Sequence, residues 1–173
     1  MTNAAAPTTT TQVYRVYIKA TPHAIWDAIT TVEWTQKFGY GGPTEYDLRP
    51  GGAFRALPSE EMRAGAATMG FTLPDVLVDG EVIESDPPRK LVQTWRSLMD
   101  PSTAAEGFTR LTYEISAGGK GVSQLTLTHD LTSAPHTAEM VRGMGDVEQG
   151  GGGWAWILSD LKTLLETGAA FTK

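Results

Sequence analysis

The segment GGGGWAWILSDLKTLLETG, residues 150–168, joins four consecutive glycines to a regular pattern of apolar residues. The apolar residues recur every three or four positions, the spacing that places side chains on one face of a helix; they are Trp154, Ile157, Leu158, Leu161, Leu164 and Leu165. The opposite side carries Ser159, Asp160, Lys162 and Glu166. The segment therefore predicts an amphipathic helix whose apolar face covers another part of the molecule.

Upstream of this helix, short segments rich in β-branched and aromatic residues predict a sheet. The first is residues 13–19, in which two sets of side chains alternate as they do along a strand. Six more segments follow, separated by turn sequences such as RPGG, DPPR and GGKG, at 44–48, 53–57, 76–85, 90–97, 108–116 and 122–130. This order predicts an antiparallel meander, and the C-terminal helix is the longest element that could cover its apolar face.

The first strand is followed by signals for two short helices. Thr21 and Pro22 have the character of an N-cap and a first helical residue. Thr30 and Glu33 have the spacing of a capping box, which predicts a second helix before the GYGG sequence at 39–42.

Two regions stand outside this regular order. Residues 58–74 form a connection long enough to act as a lid over a site. After residue 130 an apolar helical pattern runs through Met140, Val141 and Met144 to the glycines, which predicts one long C-terminal helix that is interrupted or kinked there. The glycines would let the chain bend or bring its backbone close to the sheet.

Composition limits the classes of function. With 173 residues we expect one domain at 13–168, a disordered tail at 1–12 and a C-terminal tail at 169–173. The chain has 14 Lys and Arg against 20 Asp and Glu and no clustered basic face, so we expect neither a nucleic acid nor a membrane as partner. No signal peptide or membrane span is recognisable, which makes the cytoplasm the expected location. The absence of cysteine excludes disulfides and thiolate chemistry.

Few residues show a pattern typical of catalysis. His129 has the same strand parity as Leu125 and Leu127 and is expected to face inward, where it is either a hydrogen-bonded core residue or a contact to a ligand. The three histidines lack metal-ligand spacing and no serine has a nucleophile motif, so no metal, cofactor or catalytic residue is expected. Glu84 is in step with Val78 and Val82 along its strand, so it would point inward and would then require a partner such as Arg96 or Arg110.

Four stretches together resemble a known family. ATPHAIWDAIT (20–30), RPGGAF (49–54), EVIESDPPRKLVQTW (81–95) and GWAWILSDLKTLLE (153–166) are similar to the START-like, helix-grip superfamily, in the branch of homologues of the Hsp90 ATPase activator. The resemblance covers residues 13–168 and implies an α+β fold, with a curved antiparallel sheet of six to seven strands around the C-terminal helix. The long 58–74 connection and the run of four glycines depart from the family pattern.

The resemblance also implies an apolar cavity between sheet and helix. The residues expected to line it are Trp34, Phe38, Phe54, Met69, Phe71, Trp95, Tyr113, His129, Met140, Met144, Trp154 and Leu158. We expect a binding protein for a hydrophobic, aromatic or polyketide-like molecule rather than an enzyme. The alternatives are a self-resistance protein that sequesters an enediyne and is cleaved by it, a polyketide cyclase or aromatase using His129 or Tyr113, and a co-chaperone with Hsp90 as its protein partner.

Overall fold

The computed structural model describes residues 10–173, which form seven β-strands, six α-helices and one short 3₁₀ turn. In chain order the elements are β1 (Thr11–Ile18), α1 (Pro22–Thr30), α2 (Val32–Thr35), β2 (Thr44–Tyr46), β3 (Ala53–Ala56), α3 (Glu60–Thr68), β4 (Val78–Asp86), β5 (Lys90–Ser97), α4 (Pro101–Ala105), β6 (Thr109–Ala117), β7 (Ser123–Asp130), α5 (Pro135–Arg142), the 3₁₀ turn Val147–Gln149 and α6 (Gly153–Thr167).

All seven strands belong to one antiparallel sheet with the order β1-β7-β6-β5-β4-β3-β2. Strands β2 to β7 pair with their neighbours in sequence, as the meander prediction requires. The exception is β1, which adds to the far edge, with Thr11 opposite Asp130 and Ile18 opposite Ser123. Because Thr11 and Gln12 already belong to β1, the predicted boundary of the N-terminal tail at residue 12 is wrong, and its residues 1–9 lie outside the described residues.

The core lies between the inner face of the curved sheet and α6. Leu161 of α6, Leu111 of β6 and Leu127 of β7 are fully buried in one apolar cluster with Ile18 and Ile25. This is the α+β helix-grip arrangement, and the predicted fold class is confirmed. Among residues 10–173, none of the helices has both the length and the apolar character that crossing a membrane requires.

The predicted start of the second helix is wrong. Helix α2 begins at Val32 after Thr31, and the structure gives Thr31 no side-chain capping bond. Thr30 instead ends α1, and its hydroxyl donates to the carbonyl oxygen of Trp26 at 2.7 Å. The Thr30–Glu33 spacing does not form a capping box because Thr30 is still a helical residue of α1, whereas an N-cap residue has non-helical backbone angles.

The 58–74 connection contains a helix that its apolar pattern does not predict. Helix α3 starts after Ser59, whose Oγ accepts from the backbone N–H of Met62 at 3.1 Å. Most of its side chains are exposed, so its sequence lacks the apolar stripe by which helices are recognised. Helix α4 is too short for such a stripe and was likewise not predicted.

Of the two predicted alternatives, the glycine run interrupts the C-terminal helix and does not kink it, so that α5 and α6 are separate helices. Helix α5 ends at Gly143 in the left-handed conformation, and the 3₁₀ turn leads back so that the Gly145 N–H donates to the Gly151 carbonyl at 3.1 Å. A Cβ on Gly153 would lie 2.3 Å from the Val141 carbonyl oxygen. Of the two expected roles, the glycines therefore let the chain bend, and they bring two backbone segments into contact with each other and not with the sheet.

The expected C-terminal tail folds back onto α6. Asp160 of α6 is fully buried and accepts from the backbone N–H of Phe171 at 2.6 Å and the hydroxyl of Thr172. Phe171 also packs edge-on against Trp156, with 4.8 Å between ring centres. Residues 169–173 thus make defined contacts with the domain.

Candidate ligand-binding cavity

A cavity of about 540 Å³ lies between α6 and the sheet. Strands β2 to β6 and the 39–42 loop contribute to one side of its wall, and α3, α5 and α6 close it from the other side. Its volume falls in the range of pockets that enclose small organic molecules. The sequence-predicted residues that line it are Phe38, Phe54, Trp95, Tyr113, Met140, Trp154 and Leu158.

Among the described residues, no charged side chain and no histidine lines this cavity. Its polar side chains are three tyrosines, two threonines and Gln149, while the remainder of the wall is apolar or glycine. An ion placed here would lose its hydration without gaining a counter-charge, which is costly. The lining therefore suits neutral molecules.

Five residues predicted for the site lie outside the lining. Met69, Phe71 and Met144 are 70%, 49% and 78% exposed, because they follow the ends of α3 and α5 where the chain turns away from the core. Trp34 is half-buried against the core, with Nζ of Lys37 4.4 Å above its ring. The fifth residue, His129, is fully buried behind the cavity wall.

His129 is held by hydrogen bonds on both ring nitrogens. Its Nδ1 accepts from the Trp154 indole N–H at 3.1 Å, and its Nε2 lies 2.7 Å from Oγ1 of Thr109. That threonine hydroxyl donates to the carbonyl oxygen of Trp95 at 2.8 Å. Since Nδ1 accepts and the Thr109 proton is used elsewhere, the proton of neutral His129 must be on Nε2.

The environment of His129 keeps the ring neutral. Burial lowers the pKa of His129 to about 4, against a smaller opposing effect of Asp130. A protonated ring could not accept from Trp154, so the neutral form is also the one that the hydrogen bonds require. His129 is therefore a structural link between β7 and α6, which is the core alternative stated from the sequence.

Several lining residues were missed by the sequence reasoning. Tyr46 and Met62 face the cavity from β2 and α3, and Ile157 and Leu161 face it from the apolar stripe of α6. The helical stripe was a usable signal for the last two, since it also contains Leu158. Tyr46 has a weaker signal, because it belongs to a strand of only three residues.

The 39–42 loop, read from the sequence only as a break, forms one wall of the cavity. The Gly39 N–H donates to Oδ2 of buried Asp160 at 2.8 Å, and Oη of Tyr40 accepts from the Gly153 N–H at 3.0 Å. Burial raises the pKa of Tyr40, with smaller opposing effects from the backbone N–H groups of α6. The first two residues of the loop are thus hydrogen-bonded to α6.

The side chain of Glu84 does not point inward as expected. A register shift between Val82 and Glu84 turns the side chain outward, where Oε2 lies 3.2 Å from Nζ of Lys90. Arg96, one of its expected partners, instead binds Asp79 at 2.6 Å. The strand parity fails because a bulge changes which residues face the core. Within residues 10–173, no group of three or more His, Asp or Glu side chains is placed to hold a metal.

The chain matches a known protein family. The model of the Activator of Hsp90 ATPase homolog 1-like family matches residues 19–166, most of the chain. The chain belongs to this family. The region that matches the Activator of Hsp90 ATPase homolog 1-like family begins directly after β1 and ends one residue before the end of α6. It therefore includes every residue that lines the cavity. Among curated proteins, none matches the chain.

Solved structures share the fold at low identity. MLL2253 from Mesorhizobium loti is 18% identical, with a TM-score of 0.64, over 90% of this chain and 96% of that one. PFC0360w from Plasmodium falciparum, described as an HSP90 activator, is 15% identical with a TM-score of 0.59, over 90% and 95%. CalU16 from Micromonospora echinospora is 19% identical with a TM-score of 0.53 over 75% of this chain, which covers just 64% of CalU16. At these identities the similarity establishes the fold.

Proposed function

We propose that this protein binds a neutral, hydrophobic small molecule in the cavity between the sheet and α6. The observation that carries the proposal is the combination of a volume of about 540 Å³ with a lining that contains no charged residue. Aromatic and thioether groups such as Trp95, Trp154 and Met140 supply flat and adaptable apolar contacts. Aromatic and polyketide-like molecules remain the ligand classes that we favour.

Binding without catalysis is the better-supported version of this proposal. His129, the residue best suited to proton transfer, has both ring nitrogens engaged and does not line the cavity. Tyr113 does line it, but its burial raises the pKa of its hydroxyl, which disfavours the tyrosinate that a general base would require. A cyclase would need at least one such group in contact with substrate.

A matched pair of fluorescent probes tests the proposal. N-phenyl-1-naphthylamine is neutral, and 8-anilinonaphthalene-1-sulfonate is the same ring system with a negative charge. We expect saturable binding of the neutral probe, with an affinity about tenfold or more above that of the sulfonate, because the cavity offers no counter-charge. Equal binding of both probes, or binding of neither, would contradict the proposal.

Two phenylalanine substitutions on β3 test whether the neutral probe binds in the cavity. Ala56 lines it, whereas Ala53 on the same strand is exposed and points away. Ala56→Phe should weaken binding of the neutral probe by filling the space, and Ala53→Phe should leave it unchanged.

Intact-mass analysis after incubation with aromatic polyketides and an enediyne separates carrier, cyclase and self-resistance protein from one another. Unchanged masses fit a carrier, an altered ligand fits a cyclase, and a cleaved chain fits self-resistance.

Family membership supports a second candidate. The family is named for an activator of the Hsp90 ATPase, and the Plasmodium falciparum neighbour is described as an HSP90 activator. The direct test is the ATPase rate of an Hsp90 with and without this protein. A saturable increase in rate would support a co-chaperone role, and an unchanged rate together with probe binding would leave the small-molecule proposal.

A further inference from the structure

The turn between α5 and α6 closes one side of the cavity without being bonded to the rest of the wall. Gln149 and Gly150 line the cavity and are also exposed to solvent, so this turn lies at its mouth. Every residue from 144 to 150 is exposed. Within the part of the chain that the structure describes, the hydrogen bonds of these residues all end on residues 145–151.

Asp146 gives the turn its shape. Its Oδ1 accepts from the Glu148 N–H at 3.0 Å, and its carbonyl oxygen accepts from the Gln149 N–H at 3.1 Å and the Gly151 N–H at 2.8 Å. The bond from the Gly145 N–H to the Gly151 carbonyl closes the base of the turn. The turn is therefore a compact unit that is joined to α5 and α6 through its base.

The other elements at the mouth are attached more firmly. Met99, which is 45% exposed, also lines the cavity, but the preceding Leu98 N–H donates to the Leu77 carbonyl at 2.8 Å and ties this segment to the start of β4. Helix α3 buries Ala66, and its half-buried Met62 packs against the core. Displacing either segment would break a bond to the sheet or expose apolar surface, whereas displacing the α5–α6 turn does neither.

We propose that residues 144–150 form a flap, and that a ligand enters and leaves the cavity past Gln149 when the flap opens. The inference rests on the proposed function and adds to it the route of exchange. Tyr40 forms the fixed side of the opening, since a Cβ on Gly150 would lie 3.9 Å from its ring and its hydroxyl is bonded to the Gly153 N–H beyond the flap. Segments whose opening breaks few contacts are the ones that act as lids.

Loosening the flap is the first test. Asp146→Ala removes the acceptor for the Glu148 N–H, so the open flap should be more populated. We expect the association and dissociation rate constants of N-phenyl-1-naphthylamine, measured on the full chain by stopped-flow fluorescence, both to rise about three- to fivefold, with the dissociation constant changed less than about twofold. Asp100→Ala is the matched control, because it removes the same kind of bond, 2.8 Å to the Ser102 N–H, beside Met99. It should leave both rate constants unchanged.

A charged label tests the route separately. Because the chain contains no cysteine, Gln149→Cys and Met99→Cys each carry a single thiol, which is modified with 2-(trimethylammonio)ethyl methanethiosulfonate. The label on Gln149→Cys should slow association and dissociation together by about tenfold, because an obstacle on the path raises the barrier in both directions. The label on Met99→Cys should slow them less.

The outcomes distinguish the flap from the cavity itself. Unchanged rate constants in Asp146→Ala would overturn the flap, and so would a label on Met99→Cys that slows exchange as much as the label on Gln149→Cys. Binding of the probe by the unmodified chain would then still support the proposed function. If the unmodified chain does not bind the probe, the proposed function fails, and the flap fails with it.

Discussion

The indole N–H of Trp154, at the start of α6, donates to Nδ1 of His129 on β7 at 3.1 Å. This bond explains why the helix begins with tryptophan directly after the glycines. The glycine backbone lets α5 and α6 meet closely, and the indole then connects the first turn of α6 to the sheet. Thr109 and the Trp95 carbonyl continue the same chain of hydrogen bonds across β6 and β5.

Removal of the indole donor should destabilise the protein. Trp154→Phe leaves Nδ1 of His129 buried without a partner, and we expect the free energy of unfolding to fall by about 2 kcal/mol. Urea denaturation followed by circular dichroism measures it. Trp156→Phe is the control, because Trp156 is half-buried and packs on Phe171, and it should cost less than about 1 kcal/mol. Equal losses in the two variants would contradict the role of the hydrogen bond.

His129 should make stability depend on pH below neutrality. In the unfolded chain its pKa is about 6.5, and in the folded protein burial lowers it to about 4. The unfolded state therefore binds a proton first as pH falls. Above about pH 6.5, neutral His129 contributes about 3 kcal/mol to the free energy of unfolding. This contribution is lost progressively as the pH falls towards about 4.

The variant His129→Gln removes this titration while keeping an acceptor and a donor in the side chain. Its free energy of unfolding should fall less between pH 7.5 and pH 4.5 than that of the unmodified protein. His136→Gln changes an exposed residue and serves as the control. The same pH dependence in all three proteins would rule out His129 as the source.

Two glycines with positive φ should differ sharply in their tolerance of alanine. Gly153 and Gly168 bound α6, with φ angles of 60° and 84°. A Cβ on Gly153 would clash with the Val141 carbonyl, whereas one on Gly168 would meet no atom within 4 Å. We expect Gly168→Ala to cost about 1 kcal/mol, the strain of the left-handed conformation alone. Gly153→Ala should cost ~3 kcal/mol or more, and similar thermal midpoints for the two variants would contradict this account.

Asp160 should control the order of the C-terminal segment and of the cavity wall together. Asp160→Ala removes the acceptor for the N–H groups of Gly39 and Phe171, and we expect a loss of about 3 kcal/mol. Hydrogen exchange should become faster at both amides. Asp27→Ala, an exposed position on α1, is the control and should leave both exchange rates unchanged. Protection that survives in Asp160→Ala would refute the link.

Local patterns predicted the sheet well. Residues 90–97 were expected as a strand and form β5 over Lys90–Ser97, because alternation along a half-buried strand is visible in a single segment. The inward side of β7 was equally readable from Leu125, Leu127 and His129, which are all fully buried. Neither inference needed information about partners elsewhere in the chain.

The features that were missed depend on distant partners or on a change of register. The bulge after Val82 reverses the side to which Glu84 points, and nothing within the strand's own sequence marks it. The bond between Tyr46 and Gln93 joins residues from β2 and β5, so no local spacing announces it. Met69 and Phe71 were assigned to the cavity as apolar residues of the 58–74 connection, which was expected to act as a lid, and their sequence does not tell which way the chain turns after α3.

The placement of β1 has a consequence for how the molecule assembles. Strands β2 to β7 can pair in turn with their chain neighbours, but β1 must find β7, and α6 must then pack across β1 from the opposite end of the chain. Contacts between distant parts of a chain form late because of the entropy of closing long loops. The cavity wall includes α6 but no residue of β1, so the cavity exists only once the C-terminal helix has packed onto the sheet, and a bound molecule would report that step of folding.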